Sequence, residues 1–246
     1  MTATNREDGR AAGDTRPVAI DPGFVSTADG SALISVGGTR VICTASVSDS
    51  VPGWMEGRGR GWVTAEYAML PASTGDRKRR DISSGKQDGR GVEIQRLIGR
   101  SLRGVVDFEA LGERSVYVDC DVLEADGGTR CASITGGFVA LQLALAPLVE
   151  SGDLESLPLT QSVAAISVGV VDGSGLCDLD YPEDSRAEVD ANVVMTGDSG
   201  LVEVQATAER TPLSRASLDE LMSLAEGGIA VMRSAQEAAV GNLPEG

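Results

Sequence analysis

The sequence predicts an α+β protein in which mixed sheets pack on helices, and two observations support this class. Strand-like apolar runs follow one another in both halves of the chain, and an apolar segment with helical spacing follows each group of runs. Strands and helices in separate groups, rather than in strict alternation, are typical of α+β folds. We predict a flexible polar leader over residues 1–15 and a single domain over residues 16–246, with similar halves at about 16–150 and 158–240.

The first half begins with a predicted β-hairpin, because Gly37 and Gly38 join two apolar runs and glycine pairs favour two-residue hairpin turns. From Gly91 onward the apolar residues recur with helical spacing. In chain order, the predicted elements are strands 31–36, 39–47 and 62–67, a polar loop at 71–89, a helix from 91, a strand at 115–123 and a helix at 133–149.

The second half follows a polar link near residues 150–160 and contains a second group of strands. Its final helix is predicted to open at Ser217, because Ser217 and Glu220 have the spacing of a capping box. The predicted strands of this half are 163–171, 176–179, 192–195 and 201–207.

The composition excludes several kinds of chemistry. The chain has no histidine, which excludes histidine-containing catalytic triads, histidine-ligated zinc and a histidine general base. The N-terminus has no apolar signal-peptide core, and we expect no segment to reach the ~20 apolar residues of a membrane span. We therefore expect a cytoplasmic protein without a membrane partner. Four widely spaced cysteines in or beside apolar runs favour buried free thiols over a metal site or disulfides; they are Cys43, Cys120, Cys131 and Cys177.

The segment from Ala125 to Arg130, with the sequence ADGGTR, lies between a predicted strand and a predicted helix. Glycines allow backbone N–H groups to converge on one point, and a helix N-terminus adds positive potential. Arg130 supplies a planar cation that suits a phosphate or a carboxylate. The pattern therefore indicates an oxyanion-binding turn, although a tight strand-to-helix turn with a surface arginine would have the same sequence.

Basic residues are concentrated in one part of an otherwise acidic chain. The net charge is −16, yet residues 76–103 contain nine of the 21 basic residues and only four acidic ones. The acidic net charge argues against a protein coated uniformly in nucleic acid, but a local basic strip favours contact with a polyanion; we expect RNA as the partner and no DNA. A solvated charged face is the alternative. The basic residues of the strip are Arg77, Lys78, Arg79, Arg80, Lys86, Arg90, Arg96, Arg100 and Arg103.

Six carboxylates lie within residues 178–190, between two predicted strands. Oxygen ligands suit Mg²⁺ or Mn²⁺, and Mg²⁺ commonly uses one or two protein carboxylates with water and substrate phosphates. Asp184 and Asp190 flank a short segment, so a turn could bring both to one ion. A solvated acidic loop is the alternative. The oxyanion turn, the basic strip and the acidic segment together fit phosphoryl transfer, in which catalysis consists mainly of positioning and charge neutralisation.

Several motifs resemble those of the ribonuclease PH family of phosphate-dependent 3′→5′ exoribonucleases. The similarity extends from about residue 8 to residue 240. The matching stretches are Asp8-Gly9-Arg10, Arg16-Pro17, residues 61–67, Gly85-Lys86-Gln87, Gly89-Arg90, and residues 93–98, 119–122, 125–130, 132–136 and 183–185.

The resemblance implies a set of site residues and an assembly. Arg90 and the turn of Gly128, Thr129 and Arg130 would bind inorganic phosphate as the attacking co-substrate. Asp184 and Asp190 would be the catalytic and metal-binding carboxylates. The RNA would be gripped by Arg77, Arg79 and Arg80. The implied fold is duplicated and similar to the second domain of ribosomal protein S5, and the implied assembly is a homohexamer built as a trimer of dimers.

The family's reaction removes the 3′-terminal nucleotides of tRNA precursors as nucleoside diphosphates, reversibly. Two other functions remain open from the residues. A magnesium-dependent hydrolytic ribonuclease could use the same carboxylates, but it has no need of the phosphate cradle. A catalytically silent RNA-binding ring subunit is also compatible with the fold, although such subunits tend to lose the phosphate arginines or the acidic pair.

Overall fold

The computed structural model describes residues 6–80, 83, 85, 88–209 and 212–241. The first sheet has five strands in the order β1-β2-β3-β5-β4, and only the β4–β5 pair is parallel. The predicted hairpin is confirmed, since Val36 pairs with Thr39 across a turn in which Gly37 has a positive φ of 54°. The strands are β1 (Val18–Pro22), β2 (Gly30–Val36), β3 (Thr39–Ser48), β4 (Trp62–Met69) and β5 (Ser115–Glu124).

The second sheet has four antiparallel strands in the order β7-β6-β8-β9. Its strands are β6 (Val163–Val171), β7 (Ser174–Cys177), β8 (Val189–Thr196) and β9 (Leu201–Ala208). The helices are α1 (Gly89–Arg103), α2 (Phe108–Leu111), α3 (Thr129–Glu150), α4 (Tyr181–Asp184) and α5 (Arg215–Val240). Two mixed or antiparallel sheets packed on long helices agree with the predicted α+β class.

Helix α3 is the central element of the core, because it packs on β2 and β3 of one sheet and on β6 of the other. Phe138 and Leu141 are fully buried, and Gly136 permits the close approach, since a Cβ there would lie 2.8 Å from the Ile34 side chain. Among the described helices, α3 is long and apolar enough to cross a membrane by length and composition, contrary to our expectation for this chain. Most of it is buried between the sheets, which is the behaviour of a core helix.

Several predicted boundaries shift in the structure. Helix α3 begins at Thr129 rather than at 133, because Gly128 already occupies the N-cap with a left-handed backbone. Helix α5 begins at Arg215, since the Ser214 side chain accepts the Ser217 N–H and displaces Ser217 from the predicted cap. Strand β8 begins at Val189 rather than at 192. The four cysteines are free and buried, which confirms that prediction.

The predicted flexible leader is wrong for residues 6–15. Arg6 is buried, and its guanidinium binds the Glu183 carboxylate with Nε and Nη2 at 2.8 and 2.7 Å. The Cys177 N–H also donates to the Ala12 carbonyl at 2.8 Å. The segment is therefore built into the second half of the fold, because its arginines are paired with carboxylates there. Residues 1–5 lie outside the described part of the chain.

Candidate active site

A cavity of about 650 Å³ lies where the two halves of the chain meet. Its walls come from the turn before α3, the start of α1, helix α4 and strand β8. The structure thus brings together every residue predicted to bind phosphate or to act as a catalytic carboxylate, namely Arg90, Gly128, Thr129, Arg130, Asp184 and Asp190.

The turn before α3 has the geometry of an anion site. Gly127 and Gly128 have positive φ angles of 75° and 67°. A Cβ at Gly127 would lie 2.4 Å from the Leu179 carbonyl oxygen, so only glycine allows the turn to approach the second half so closely. Gly128 supplies no side-chain cap, and the first turn of α3 contains no acidic residue. The first N–H groups of α3 therefore remain for an anion in the cavity.

The two arginines of the site are held differently. Arg130 donates to the Gln205 side-chain oxygen at 2.8 Å and to Glu93 at 3.4 Å, and Gln205 in turn donates to Glu93 at 3.1 Å. Sequence reasoning missed Glu93 and Gln205, because they come from α1 and β9, far from Arg130 in the chain. Arg90 lies in the first turn of α1, and its guanidinium has no hydrogen bond or ion pair within the described residues. Its charge is thus available to a ligand.

Thr129 is oriented by a neighbouring tyrosine. The Tyr67 hydroxyl and the Thr129 hydroxyl are 2.9 Å apart. Burial raises the pKa of Tyr67, so this phenol stays neutral at physiological pH and serves as a hydrogen-bonding partner. The contact links β4 of the first sheet to the N-terminus of α3, and so fixes the side chain beside the anion-binding N–H groups.

The two predicted carboxylates lie on adjacent elements. Asp184 ends the short helix α4, and Asp190 is the second residue of β8, not part of the connecting loop as we predicted. The Asp190 side chain shares a face of β8 with Asn192, which also lines the cavity. Burial raises the pKa of the Asp190 carboxyl, and the Asp184 carboxylate raises it further, while Arg130 and Arg90 partly lower it. Carboxylates and arginines therefore line the same cavity and are close enough to influence one another.

The remaining acidic residues of the 178–190 segment have mostly structural partners. Asp178 is paired with Arg16 at 2.7 Å, and Glu183 is paired with Arg6 at 2.7 Å. Arg10 lies 3.8 Å from Asp180. The predicted acidic segment is therefore divided between carboxylates that hold the fold and the pair that faces the cavity. The motifs at residues 8–10 and 16–17 were visible in the sequence, but nothing local indicated their partners.

The structure also divides the predicted basic strip. Arg77, Arg79 and Arg80 are exposed, and a second, smaller cavity of about 220 Å³ has Arg79 and Arg80 in its lining. Lys78 forms an ion pair with Asp88 at 2.8 Å. The arginines of α1 farther along have protein partners: Arg100 pairs with Glu203, and the Arg103 guanidinium lies 4.8 Å from the centre of the Trp62 ring. Asp81, Lys86 and Gln87 lie outside the described residues.

Arginines and free helix N–H groups opposite two carboxylates, without a histidine, define an enzyme that handles phosphate groups. Comparison with known families agrees. The family model described as "3′ exoribonuclease family, domain 1" matches residues 14–147, and the model for domain 2 of that family matches residues 161–228.

Close relatives cover almost the whole chain. Ribonuclease PH of Roseobacter denitrificans is 57% identical over 234 residues, which cover 95% of this chain and 99% of that protein. Ribonuclease PH of Neisseria meningitidis serogroup C is 55% identical over 231 residues, covering 94% and 96% of the two chains. This chain belongs to the 3′ exoribonuclease family. It is a phosphorolytic 3′→5′ exoribonuclease, a nucleotidyltransferase that acts on RNA, as the sequence resemblance implied.

Solved structures agree on the fold. An Archaeoglobus fulgidus exosome with RNA bound to its active site contains a chain that matches with a TM-score of 0.79 at 24% identity, covering 93% of this chain and 91% of that one. A chain of an archaeal exosome core matches with a TM-score of 0.73 at 23% identity, covering 95% and 90%. At these identities the likeness concerns the fold, which agrees with the duplicated fold that the sequence resemblance implied.

Proposed function

We propose that this exoribonuclease trims the 3′ ends of tRNA precursors and releases each terminal nucleotide as a nucleoside diphosphate. One observation carries the proposal: Arg90, Arg130 and the N-terminus of α3, which has no side-chain cap, line a single cavity together with Asp184 and Asp190. A hydrolase acting through water needs no second phosphate cradle, whereas a phosphorolytic enzyme must hold a free phosphate beside the scissile phosphodiester.

The proposed chemistry uses inorganic phosphate as the nucleophile. Arg90, Arg130 and the turn of Gly128 and Thr129 bind the phosphate and neutralise its charge. One of its oxygens forms a bond to the phosphorus of the last phosphodiester, and the bond from that phosphorus to the 3′ oxygen of the preceding nucleotide breaks. The products are a nucleoside diphosphate and an RNA shortened by one nucleotide. Because one phosphate bond replaces another, the reaction runs in both directions.

Asp184 and Asp190 are the residues proposed to hold a Mg²⁺ or Mn²⁺ ion. No group of three or more potential ligands occurs among the described residues, but Mg²⁺ needs only one or two protein carboxylates when water and phosphates complete its shell. The pair fits this requirement, because burial and the charge of Asp184 disfavour an ionised Asp190 in the absence of a cation. When bound, the ion would supply positive charge to the phosphate oxygens. The protein's own contribution is to hold the two carboxylates opposite the arginines.

RNA beyond the active site is proposed to be held by the exposed side chains of Arg77, Arg79 and Arg80. Exposed guanidinium groups suit contacts with a phosphate backbone. The proposed assembly is a homohexamer, a trimer of dimers, and the solved chains that share the fold come from exosome assemblies. A cytoplasmic location stays a prediction.

A direct assay tests the proposed function. A tRNA carrying extra 3′ nucleotides is incubated with the protein and Mg²⁺, with and without phosphate, and the released mononucleotides are identified. We expect nucleoside diphosphates, formed only when phosphate is present, and trimming that stops near the mature 3′ end. Nucleoside monophosphates released equally well without phosphate would favour the hydrolase. Binding of tRNA without any release would favour a silent ring subunit.

A further inference from the structure

Arg16 connects the phosphate-binding turn to the acidic segment. Its side chain is 5% exposed, and it holds the Asp178 carboxylate through Nε at 2.9 Å and Nη2 at 2.7 Å, while its backbone N–H donates to the same carboxylate at 2.7 Å. Nη2 also donates to the Leu179 carbonyl at 3.3 Å. On the other side, Nη1 donates to the carbonyl of Asp126, in the turn before α3. One buried guanidinium therefore binds both walls of the cavity.

The partner of Arg16 has an unusual backbone. Asp178 has a positive φ of 53°, although it is not a glycine, and it is almost fully buried. Such a conformation is unfavourable for a residue with a Cβ and persists only where surrounding contacts enforce it. Here the Asp178 carboxylate is held by Arg16, its N–H donates to the Ser167 carbonyl at 2.7 Å, and its carbonyl accepts hydrogen bonds from Arg6 and Arg10, each at 2.9 Å. The backbone conformation at Asp178 leads the chain into α4, which ends at Asp184.

The two walls touch at further points. The Tyr181 N–H donates to the Asp126 carboxylate at 3.3 Å. A Cβ at Gly128 would lie 3.3 Å from Nη2 of Arg16, so the guanidinium lies directly behind the N-cap of α3. Burial alone would lower the pKa of Arg16, but the hydrogen bond to Asp178 and nearby carboxylates raise it overall. The cation is therefore permanent.

We propose that Arg16 is a positioning residue for phosphorolysis, which sets the phosphate-binding turn at its working distance from the acidic segment. Arg16 does not line the cavity, and it acts through the Asp126–Gly128 backbone on one side and through Asp178 on the other. The proposal rests on the proposed phosphate site. It also gives a role to the Arg16-Pro17 motif, to which the sequence alone assigned no function.

The chain offers a matched control in Arg6. Its side chain is 1% exposed, and it forms the same kind of two-pronged ion pair, with Glu183, at 2.8 and 2.7 Å. Its other hydrogen bonds go to carbonyls of the N-terminal segment and of residues 177 and 178. Within the described residues, Arg6 makes no hydrogen bond to the turn before α3. The two arginines thus hold different carboxylates in the same segment, and of the two only Arg16 donates to the phosphate-binding turn.

The experiment compares Arg16→Lys with Arg6→Lys. Lysine keeps the charge, but its ammonium group cannot bind a carboxylate through two parallel hydrogen bonds as a guanidinium does. Thermal unfolding is measured first, and then KM for phosphate at saturating RNA and KM for RNA at saturating phosphate. For Arg16→Lys we expect a rise of about tenfold in the phosphate KM, equivalent to one charge-assisted hydrogen bond, with the RNA KM within about twofold. For Arg6→Lys we expect a lower kcat, since Glu183 adjoins Asp184, and a phosphate KM within about twofold of the wild type.

Equal rises in phosphate KM for the two variants, or an unchanged value in folded Arg16→Lys, would overturn the proposal. If Arg16→Lys does not fold, Asp178→Asn takes its place, because it weakens the same ion pair while keeping the side-chain shape, and the same phosphate-specific rise is expected. The wild type separates this inference from the proposed function. Release that does not depend on phosphate in the wild type would reject the proposed function before any variant is measured.

Discussion

Two groups of arginines in this chain have opposite surroundings. Arg6 and Arg16 are buried, and each faces a carboxylate more than a hundred residues away in sequence. Arg77, Arg79 and Arg80 are exposed, and two of them line the smaller cavity. The same side chain therefore fixes internal geometry in one region and presents charge in the other. The difference is that the buried guanidinium groups form hydrogen-bonded ion pairs with carboxylates, whereas the exposed ones are largely open to solvent.

The largest expected effect is a loss of folding stability when an arginine of the buried group is replaced. Arg6→Ala removes the nearest partner of the buried Glu183 carboxylate and leaves only Arg10, 3.6 Å away, and breaking a buried ion pair costs about 3–5 kcal/mol. At about 2–4 °C per kcal/mol for a chain of this size, the melting temperature should fall by roughly 6–20 °C. Arg77→Ala in the exposed group is the control and should change stability by less than about 0.5 kcal/mol. Calorimetry gives the melting temperature of both variants, and equal melting temperatures would contradict this prediction.

The active-site arginines are intermediate between the two groups, because they are partly paired yet face the cavity. Arg130→Ala should remove one or more charge-assisted hydrogen bonds to phosphate, each worth about 1.5–3 kcal/mol, or about ten- to hundredfold in phosphate saturation or turnover. RNA binding, measured separately by filter binding, should be nearly unchanged. Arg96→Ala, at an exposed position of α1, is the matched control. Normal phosphate dependence of Arg130→Ala would remove this residue from the phosphate site.

The exposed group should determine how RNA binding depends on salt. For single strands, the slope of log K for RNA binding against log salt concentration decreases by about 0.7 for each RNA phosphate that the protein no longer neutralises. Replacing Arg77, Arg79 and Arg80 with alanine should therefore flatten this slope by up to about 2 units. Phosphorolysis of an oligonucleotide too short to reach these side chains should hardly change. Binding titrations from low to moderate salt measure the slope. Equal losses of activity with long and short substrates would mean that the cluster supports the structure rather than the RNA.

The smallest effect concerns a carboxylate beside the exposed group. Burial raises the pKa of Asp121; Arg80 offsets part of this, and Glu66 adds to it. A raised pKa in the folded state means that the ionised carboxylate opposes folding once the pH exceeds its ordinary value. Asp121→Asn should therefore stabilise the protein at pH 7 by less than about 1 kcal/mol, given solvent screening. The gain should vanish below about pH 3.8, where Asp121 is protonated in both states. A gain that grows on acidification would contradict the assignment.

Local patterns in the sequence were sufficient for much of the fold and site. The hairpin at Gly37, the helical period after Gly91 and the glycine turn before Arg130 each depend on neighbouring residues, and all appear in the structure. Asp190 was misplaced because aspartate is unfavourable in strands, so the sequence suggested a loop. In the fold, the Asp190 backbone pairs with β6 on one side and with β9 on the other, which places the residue in a strand.

The buried arginines could not be interpreted from the sequence in the same way. A polar, charged N-terminal segment without apolar periodicity is typical of a flexible tail, and only the fold shows that its charges have partners near residue 180. The exposed arginines were found because they lie together in sequence. Density along the chain reveals a surface cluster, whereas a pair formed across 162 residues leaves no local pattern.

The position of α3 between the two sheets has a consequence for synthesis of the protein. The strands β1 to β5 and α3 emerge from the ribosome before any strand of the second sheet exists, so one apolar side of α3 has no covering sheet at that stage. Completion of β6 and α5 then buries that side, and the same step brings Asp184 and Asp190 to the anion-binding turn. The core and the active site therefore both depend on the second half of the chain.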